Sequence, residues 1–156
     1  MLRARKKPTP LSAAGLRFGI AAAGYNPELA DALVEHCVAA LRAAGAQARQ
    51  VTVLRVPGSF EVSAAAAHLA RTGRYDCVIG LGVILQGETS HAHHIAGAVA
   101  HGLTTIAIET GVPTVFGIVT ANNLSQARVR CLGQQYNRGR EAAATAIQMA
   151  RLWKSL

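Results

Sequence analysis

The chain has 156 residues, a length that suits one domain with a single sizeable core. Half of it is hydrophobic (51%) and only 15% is charged, which excludes a disordered chain, and no run of about 18 apolar residues offers a membrane-spanning helix. Sixteen Lys and Arg against eight Asp and Glu leave a net charge of +8, which raises nucleic acid as a partner, so where that charge lies matters.

Arg3, Arg5, Lys6 and Lys7 place half of the excess within seven residues, next to Pro8 and Pro10 and without periodicity. Residues 1–15 therefore read as a basic flexible tail and 16–156 as one α/β domain. No apolar segment follows the tail's charges as a secretory signal requires. The rest is mildly basic, without aromatics interleaved among the basic residues, so no nucleic-acid or membrane partner is expected.

The pattern then alternates short and long segments. Arg17–Ala22 reads as a strand. Leu29, Leu33, Cys37 and Leu41 recur every fourth residue, as on one face of a helix that starts near Pro27 and stops at Gly45. Gln50–Val56 reads as a strand stopped by Pro57-Gly58, and Ser59–Ala70 as an Ala-rich helix closed by Gly73. Tyr75–Leu81 is a continuous apolar run of the kind buried on both faces of a sheet. His91–Thr110 is helical, Val112–Val119 is a further strand, and helices follow near Leu124–Arg130 and from Asn137 to Trp153. Ala142, Ala146, Met149 and Trp153 form a stripe on the last helix. Four alternations of strand and helix predict right-handed crossovers and a parallel sheet covered on both faces. Cys37, Cys77 and Cys131 are odd in number and widely spaced, which predicts core thiols of a reducing, cytoplasmic compartment rather than disulfides.

Ligands of such folds bind beyond the strand carboxyl ends, which directs attention to Gly24–Asn26, Val56–Phe60, Gly82–His91 and Gly117–Asn122. Tyr25 at the first is suited to stacking on a flat heterocycle or to packing at a helix start. At the second, Glu61 in a first helical turn either complements the helix dipole or binds a ligand. At the third, Gly87, Thr89 and Ser90 at a helix start suit a phosphate, and His91 can move protons near neutral pH. His91 and His94 share a helix face, but no carboxylate or cysteine joins them locally, so no metal is expected. Arg128, Arg130, Arg138 and Arg140 form either a phosphate-binding group or a solvated basic face.

Together the motifs Val56–Glu61 (VPGSFE), Gly82–His91, Glu109–Thr120 (ETGVPTVFGIVT) and Gln126–Ala143 (QARVR…NRGREAA) resemble the lumazine synthase family, over about Arg17–Leu152. The resemblance implies a flavodoxin-like three-layer sandwich with a four-stranded parallel sheet flanked by helices. It implies condensation of 5-amino-6-ribitylaminouracil with 3,4-dihydroxy-2-butanone 4-phosphate, without metal or organic cofactor. Homo-oligomers are implied, as pentamers or assemblies of pentamers with sites between adjacent subunits, and riboflavin synthase is implied as a further partner. Matched by position, Tyr25, Asn26, Ser59, Phe60, Glu61, Val83, Ile84, Leu85 and Phe116 would hold the pyrimidine and its ribityl chain. Glu88, Thr89, Arg130 and Arg138 would hold phosphate, and His91 would transfer protons. Phe116 and Arg130 would come from the neighbouring subunit.

The chain departs from the family pattern at Ala92-His93-His94, where an aromatic, Asp and a second aromatic are usual, and at Gln86, often Arg. Gln134-Gln135-Tyr136 stands where a small turn linked to shell formation is usual. These departures keep a second reading in view, a weak or inactive relative that binds flavin or lumazine or acts as a scaffold.

Overall fold

Four strands, β1 (Phe18–Ala23), β2 (Val51–Val56), β3 (Cys77–Leu85) and β4 (Thr114–Ala121), pair in the order β2-β1-β3-β4, all parallel. The structure is a computed structural model that describes residues 10–156. Between the strands run the helices α1 (Pro27–Ala43), α2 (Val62–Arg71), α3 (His91–Thr110), α4 (Leu124–Leu132) and α5 (Arg138–Lys154). Because side chains alternate along a strand, each sheet face builds its own core. Phe18, Ile20, Ala22, Ile79, Leu81 and Val115 pack against α1 and α5 through Val34, Cys37, Leu41, Ala142, Ala146 and Ala150. Ala21, Ala23, Val78 and Ile118 pack against α2 and α3 through Val62, Ala66, Leu69, Val99, Leu103 and Ile106. The result is the three-layer, flavodoxin-like α/β sandwich that the sequence motifs imply.

Leu29, Leu33, Cys37 and Leu41 are all buried along α1, as their spacing predicts. Pro27 opens that helix, and Arg42 in its last turn complements the dipole. Central β3 is buried at every position but Leu85, whereas edge strand β2 is only partly covered.

Three boundaries differ from the sequence reading. The central strand starts at Cys77 and runs to Leu85, four residues past the expected end, because Gly82–Leu85 stay in register with Ile118–Ala121. The backbone N–H of Gln86 closes this extension on the Ala121 carbonyl (2.8 Å). Correspondingly, β4 runs on to Ala121, two residues past the expected end at Val119. Ser59–Glu61 forms a single 3-10 turn, so α2 begins only at Val62.

Of the expected tail, residues 1–9 lie outside the described residues. Further on, Ala13 is fully buried and donates its N–H to the Ala44 carbonyl (2.8 Å). The Arg151 guanidinium donates to the Ser12 and Ala14 carbonyls at 2.8 and 2.6 Å, which fastens this stretch to α5. Among the described residues, no helix is long and apolar enough to cross a membrane.

Candidate active site

At the carboxyl ends of β1 and β3 the chain forms an open cleft of about 270 Å3. Its lining brings together Tyr25, Asn26, Ser59, Val83, Ile84, Leu85, Thr89 and His91, which the sequence scatters over 67 positions. Gly87, Ala92 and Ile95 complete the wall. Gly87 is part of the helix start that the sequence reading singles out, whereas Ala92 and Ile95 are not among its expected site residues. Ile95 lies four residues beyond His91, on the same helical face, and that spacing is the signal that could have found it.

The first two loops are tied to each other through backbone. Gly24 N–H lies within bonding distance of the carbonyls of Val56 (2.9 Å) and Pro57 (3.0 Å), and Tyr25 N–H donates to Pro57 (3.1 Å). Asn26 adopts the left-handed conformation (φ 58°), tolerated better by Asn than by most residues, and this turns the chain sharply into α1. Its Nδ2 points toward the Val83 carbonyl at 3.5 Å. Ser59 is buried between the strand ends. Glu61 accepts the Gly58 N–H at Oε2 (3.0 Å), so the carboxylate closes the turn that positions Ser59 and Phe60. Phe60 and Glu61 are themselves exposed and flank the cleft rather than line it.

The third loop is held by a side chain. The Gln86 amide Nε2 donates to the carbonyls of Gly87 and Thr89, both at 3.2 Å, which shapes the turn leading into α3. Thr89 Oγ1 accepts the His91 N–H at 3.4 Å, using one of the unpaired N–H groups at the helix start. A second hollow of about 210 Å3, lined in part by Gln86, His93, Thr120 and Asn122, shares Ile84 and Ala92 with the cleft. The two departures Gln86 and His93 thus meet at one place beside the site.

Four other expected site residues lie outside the cleft of a single chain. Glu88 is exposed in the turn before α3. Phe116, opposite Gly80 in edge strand β4, is 40% exposed. Arg130 on α4 lies 5.6 Å from the centre of the Tyr136 ring, a cation–π contact. Arg138 pairs with Glu141 (3.1 Å), and Arg128, one of the four arginines considered together, pairs with Glu28 (3.5 Å). Among the described residues no carboxylate pairs with Arg130, which leaves its guanidinium available to an anion. Asn137 sets the geometry of this region. It is buried, caps α5 by accepting the Arg140 N–H (3.1 Å), and donates to the carbonyls of Cys131 and Gly133, both at 3.1 Å.

No group of three potential metal ligands occurs among the described residues. The thiols are poor nucleophiles, because burial pushes Cys37 up to about 12 and Cys131 up to about 11, and raises Cys77 as well.

A parallel α/β sandwich with an imidazole, hydroxyls and strand-end peptide groups around an open cleft defines a flavodoxin-like protein with a site for a small polar substrate. Residues 15–154 match the family model described as 6,7-dimethyl-8-ribityllumazine synthase. The chain is 44% identical to the 6,7-dimethyl-8-ribityllumazine synthase of Aquifex aeolicus (strain VF5) over 146 residues, covering 94% of this chain and 95% of that protein. The chain belongs to the 6,7-dimethyl-8-ribityllumazine synthase family, transferases of riboflavin biosynthesis.

Proposed function

We propose that the cleft at the ends of β1 and β3 is where this enzyme carries out its family's condensation. There 5-amino-6-ribitylaminouracil meets 3,4-dihydroxy-2-butanone 4-phosphate, giving 6,7-dimethyl-8-ribityllumazine and inorganic phosphate. The observation that carries the reading is the convergence of Tyr25, Ser59, the Val83–Leu85 strand end, Thr89 and His91 on one cleft.

The uracil ring stacks on Tyr25 and takes hydrogen bonds from the peptide groups at Val83–Leu85. Ser59, Phe60, Glu61 and Asn26 face its ribityl chain. The uracil's amine attacks the ketone, and loss of water gives an imine. His91 removes a carbon-bound proton and the phosphate group departs with the C–O electron pair, leaving an enol. A proton returns to its terminal carbon to give a methyl ketone, and attack of the ribityl-bearing nitrogen on that ketone closes the ring with loss of a second water. Thr89, Glu88 and the N–H groups at the start of α3 surround the phosphate. Holding both reactants together supplies much of the rate, an effect that reaches about 7–11 kcal/mol in favourable cases.

Phe116 and Arg130 complete the site from an adjacent subunit, and Arg138 adds positive charge on the phosphate side. Their position outside the cleft of their own chain, with Phe116 exposed on an edge strand, supports a homopentamer or an assembly of pentamers with shared sites. The three free, buried cysteines fit the reducing cytoplasm. Riboflavin synthase, which consumes the lumazine, is the partner enzyme in this reading.

Mixing the protein with both substrates and following lumazine absorbance tests the reading. Formation well above the spontaneous rate is expected. No excess rate, with tight riboflavin binding in its place, overturns it in favour of a binding relative.

A further inference from the structure

A small polar pocket lies at the opposite end of the sheet, where the strands begin. Arg17, Arg49 and Arg74 line it with Gln50, Thr52 and Tyr75, and no carboxylate takes part. The three arginines come from three chain segments, immediately before β1, in the 3-10 turn Ala48–Gln50 before β2, and between α2 and β3. Adjacent parallel strands β2-β1-β3 bring those segments side by side.

Each segment is fixed locally. Arg17 N–H donates to Asp76 Oδ2 (2.7 Å) while Asp76 N–H donates to the Arg17 carbonyl (2.8 Å). Arg49 Nε donates to Gln47 Oε1 (2.8 Å), within a turn that Gln50 Oε1 closes on the Gln47 N–H (2.8 Å). Arg74 N–H donates to Thr72 Oγ1 (3.2 Å), just after Gly73 in a left-handed turn (φ +69°). Among the described residues none of the three guanidinium groups has a carboxylate partner, and Asp76, the acid nearest in sequence, is already bound to Arg17 N–H and to Lys154 (3.3 Å).

The three arginines are solvent-exposed residues lining one pocket, and an anion bound there would offset their mutual repulsion. The pocket encloses about 110 Å3. That is the scale of one small tetrahedral oxyanion rather than of a polymer strand. We infer that Arg17, Arg49 and Arg74 form a second anion site, remote from the condensation cleft, that takes a phosphate group, either as inorganic phosphate or at the end of a small phosphomonoester. Guanidinium forks suit such an oxyanion.

The test removes the cleft's own phosphate ligand first. In an Arg130→Ala background, inorganic phosphate and glycerol 3-phosphate are titrated while the melting temperature and calorimetric heat are followed. Retained binding that weakens about tenfold or more in Arg130→Ala/Arg49→Gln/Arg74→Gln supports the site. Comparing the two ligands separates the free ion from the monoester. Loss of all phosphate binding with Arg130→Ala alone overturns it, as does binding unchanged by the two Gln substitutions. Preferred binding of a single-stranded oligonucleotide through Arg49 and Arg74 overturns the small-anion assignment. Arg49→Gln/Arg74→Gln with Arg130 intact should form lumazine at the parent rate, which checks that the variant folds.

Discussion

The ring of Tyr25 rests on the backbone of Gly58: a Cβ at Gly58 would come within 2.7 Å of Tyr25 Cε2 and 2.8 Å of Cδ2. The same position faces Glu61 Oε2 at 3.0 Å, so one glycine sets both the aromatic ring and the carboxylate beside the cleft. Tyr25 is 66% exposed and free to swing outward, and Gly58 has an ordinary extended backbone. Gly58→Ala should therefore leave thermal stability within about 1 kcal/mol of the parent, displace the ring, and raise KM for the pyrimidine substrate. Unchanged steady-state kinetics in this variant would remove Tyr25 from the binding site.

Gly82 answers a harder constraint. A Cβ there would lie 2.5 Å from Ser59 Oγ, 3.1 Å from the Ala23 Cβ and 3.3 Å from Ile118 Cδ1. All three neighbours are buried, so nothing can swing into solvent. Gly82→Ala should destabilise the fold by about 1–3 kcal/mol and push the Ser59 turn out of the cleft, lowering kcat/KM. Urea unfolding and lumazine formation measure the two effects separately.

This glycine also shows where reading the sequence stops. Periodicity identifies α1 through Leu29, Leu33, Cys37 and Leu41, and the unbroken apolar run identifies the central strand, because both signals are local. Gly82 looks like the start of a loop after Leu81, yet it continues β3. Its reason is a side chain 23 residues earlier, Ser59, and no local pattern records that contact. The last helix shows the same limit in another form. Ala142 and Ala146 of the expected stripe are buried, but Trp153 at its end is 44% exposed beside the strand starts at Tyr75, Asp76 and Pro113. Of the site, the cleft residues could be read because they follow strand ends, which topology places together. Phe116 and Arg130 could be assigned only through the family resemblance, since within one chain they make no contact with the cleft.

On the proposed reading, proton transfer and phosphate binding fall to different residues and should separate kinetically. His91 lines the cleft at the start of α3, so His91→Ala should lower kcat by about 10²–10⁴-fold with little change in KM. Arg130 is exposed and has no carboxylate partner among the described residues. Loss of a charged hydrogen bond, about 1.5–3 kcal/mol, should make Arg130→Ala raise KM for the butanone phosphate by about 10–100-fold. Mixing Arg130→Ala with His91→Ala, at butanone phosphate well below the raised KM so that each alone is slow, tests sharing between subunits. Mixed oligomers should regain part of the activity, and no regain after dissociation and reassembly would argue for self-contained sites.

The buried thiols fix how stability responds to alkali. Cys37 is fully buried between α1 and the sheet, and burial pushes its pKa up to about 12, while an unfolded thiol titrates near about 8.5. Above about pH 8.5 the unfolded chain releases the thiol proton and the folded chain retains it. The unfolded state then binds fewer protons, so unfolding free energy falls as pH rises. The stabilisation is complete below about pH 8.5 and is lost progressively up to about pH 12, at a limiting slope of about 1.4 kcal/mol per pH unit for one thiol. Cys131, raised to about 11, acts in the same direction. Urea midpoints should therefore drop between pH 8 and pH 10. Cys37→Ala should start lower at pH 8, because it leaves a small cavity, but should fall less steeply, since its unfolded chain has one thiol fewer to ionise. Parallel pH profiles for the parent and Cys37→Ala would show that other groups govern the alkaline loss.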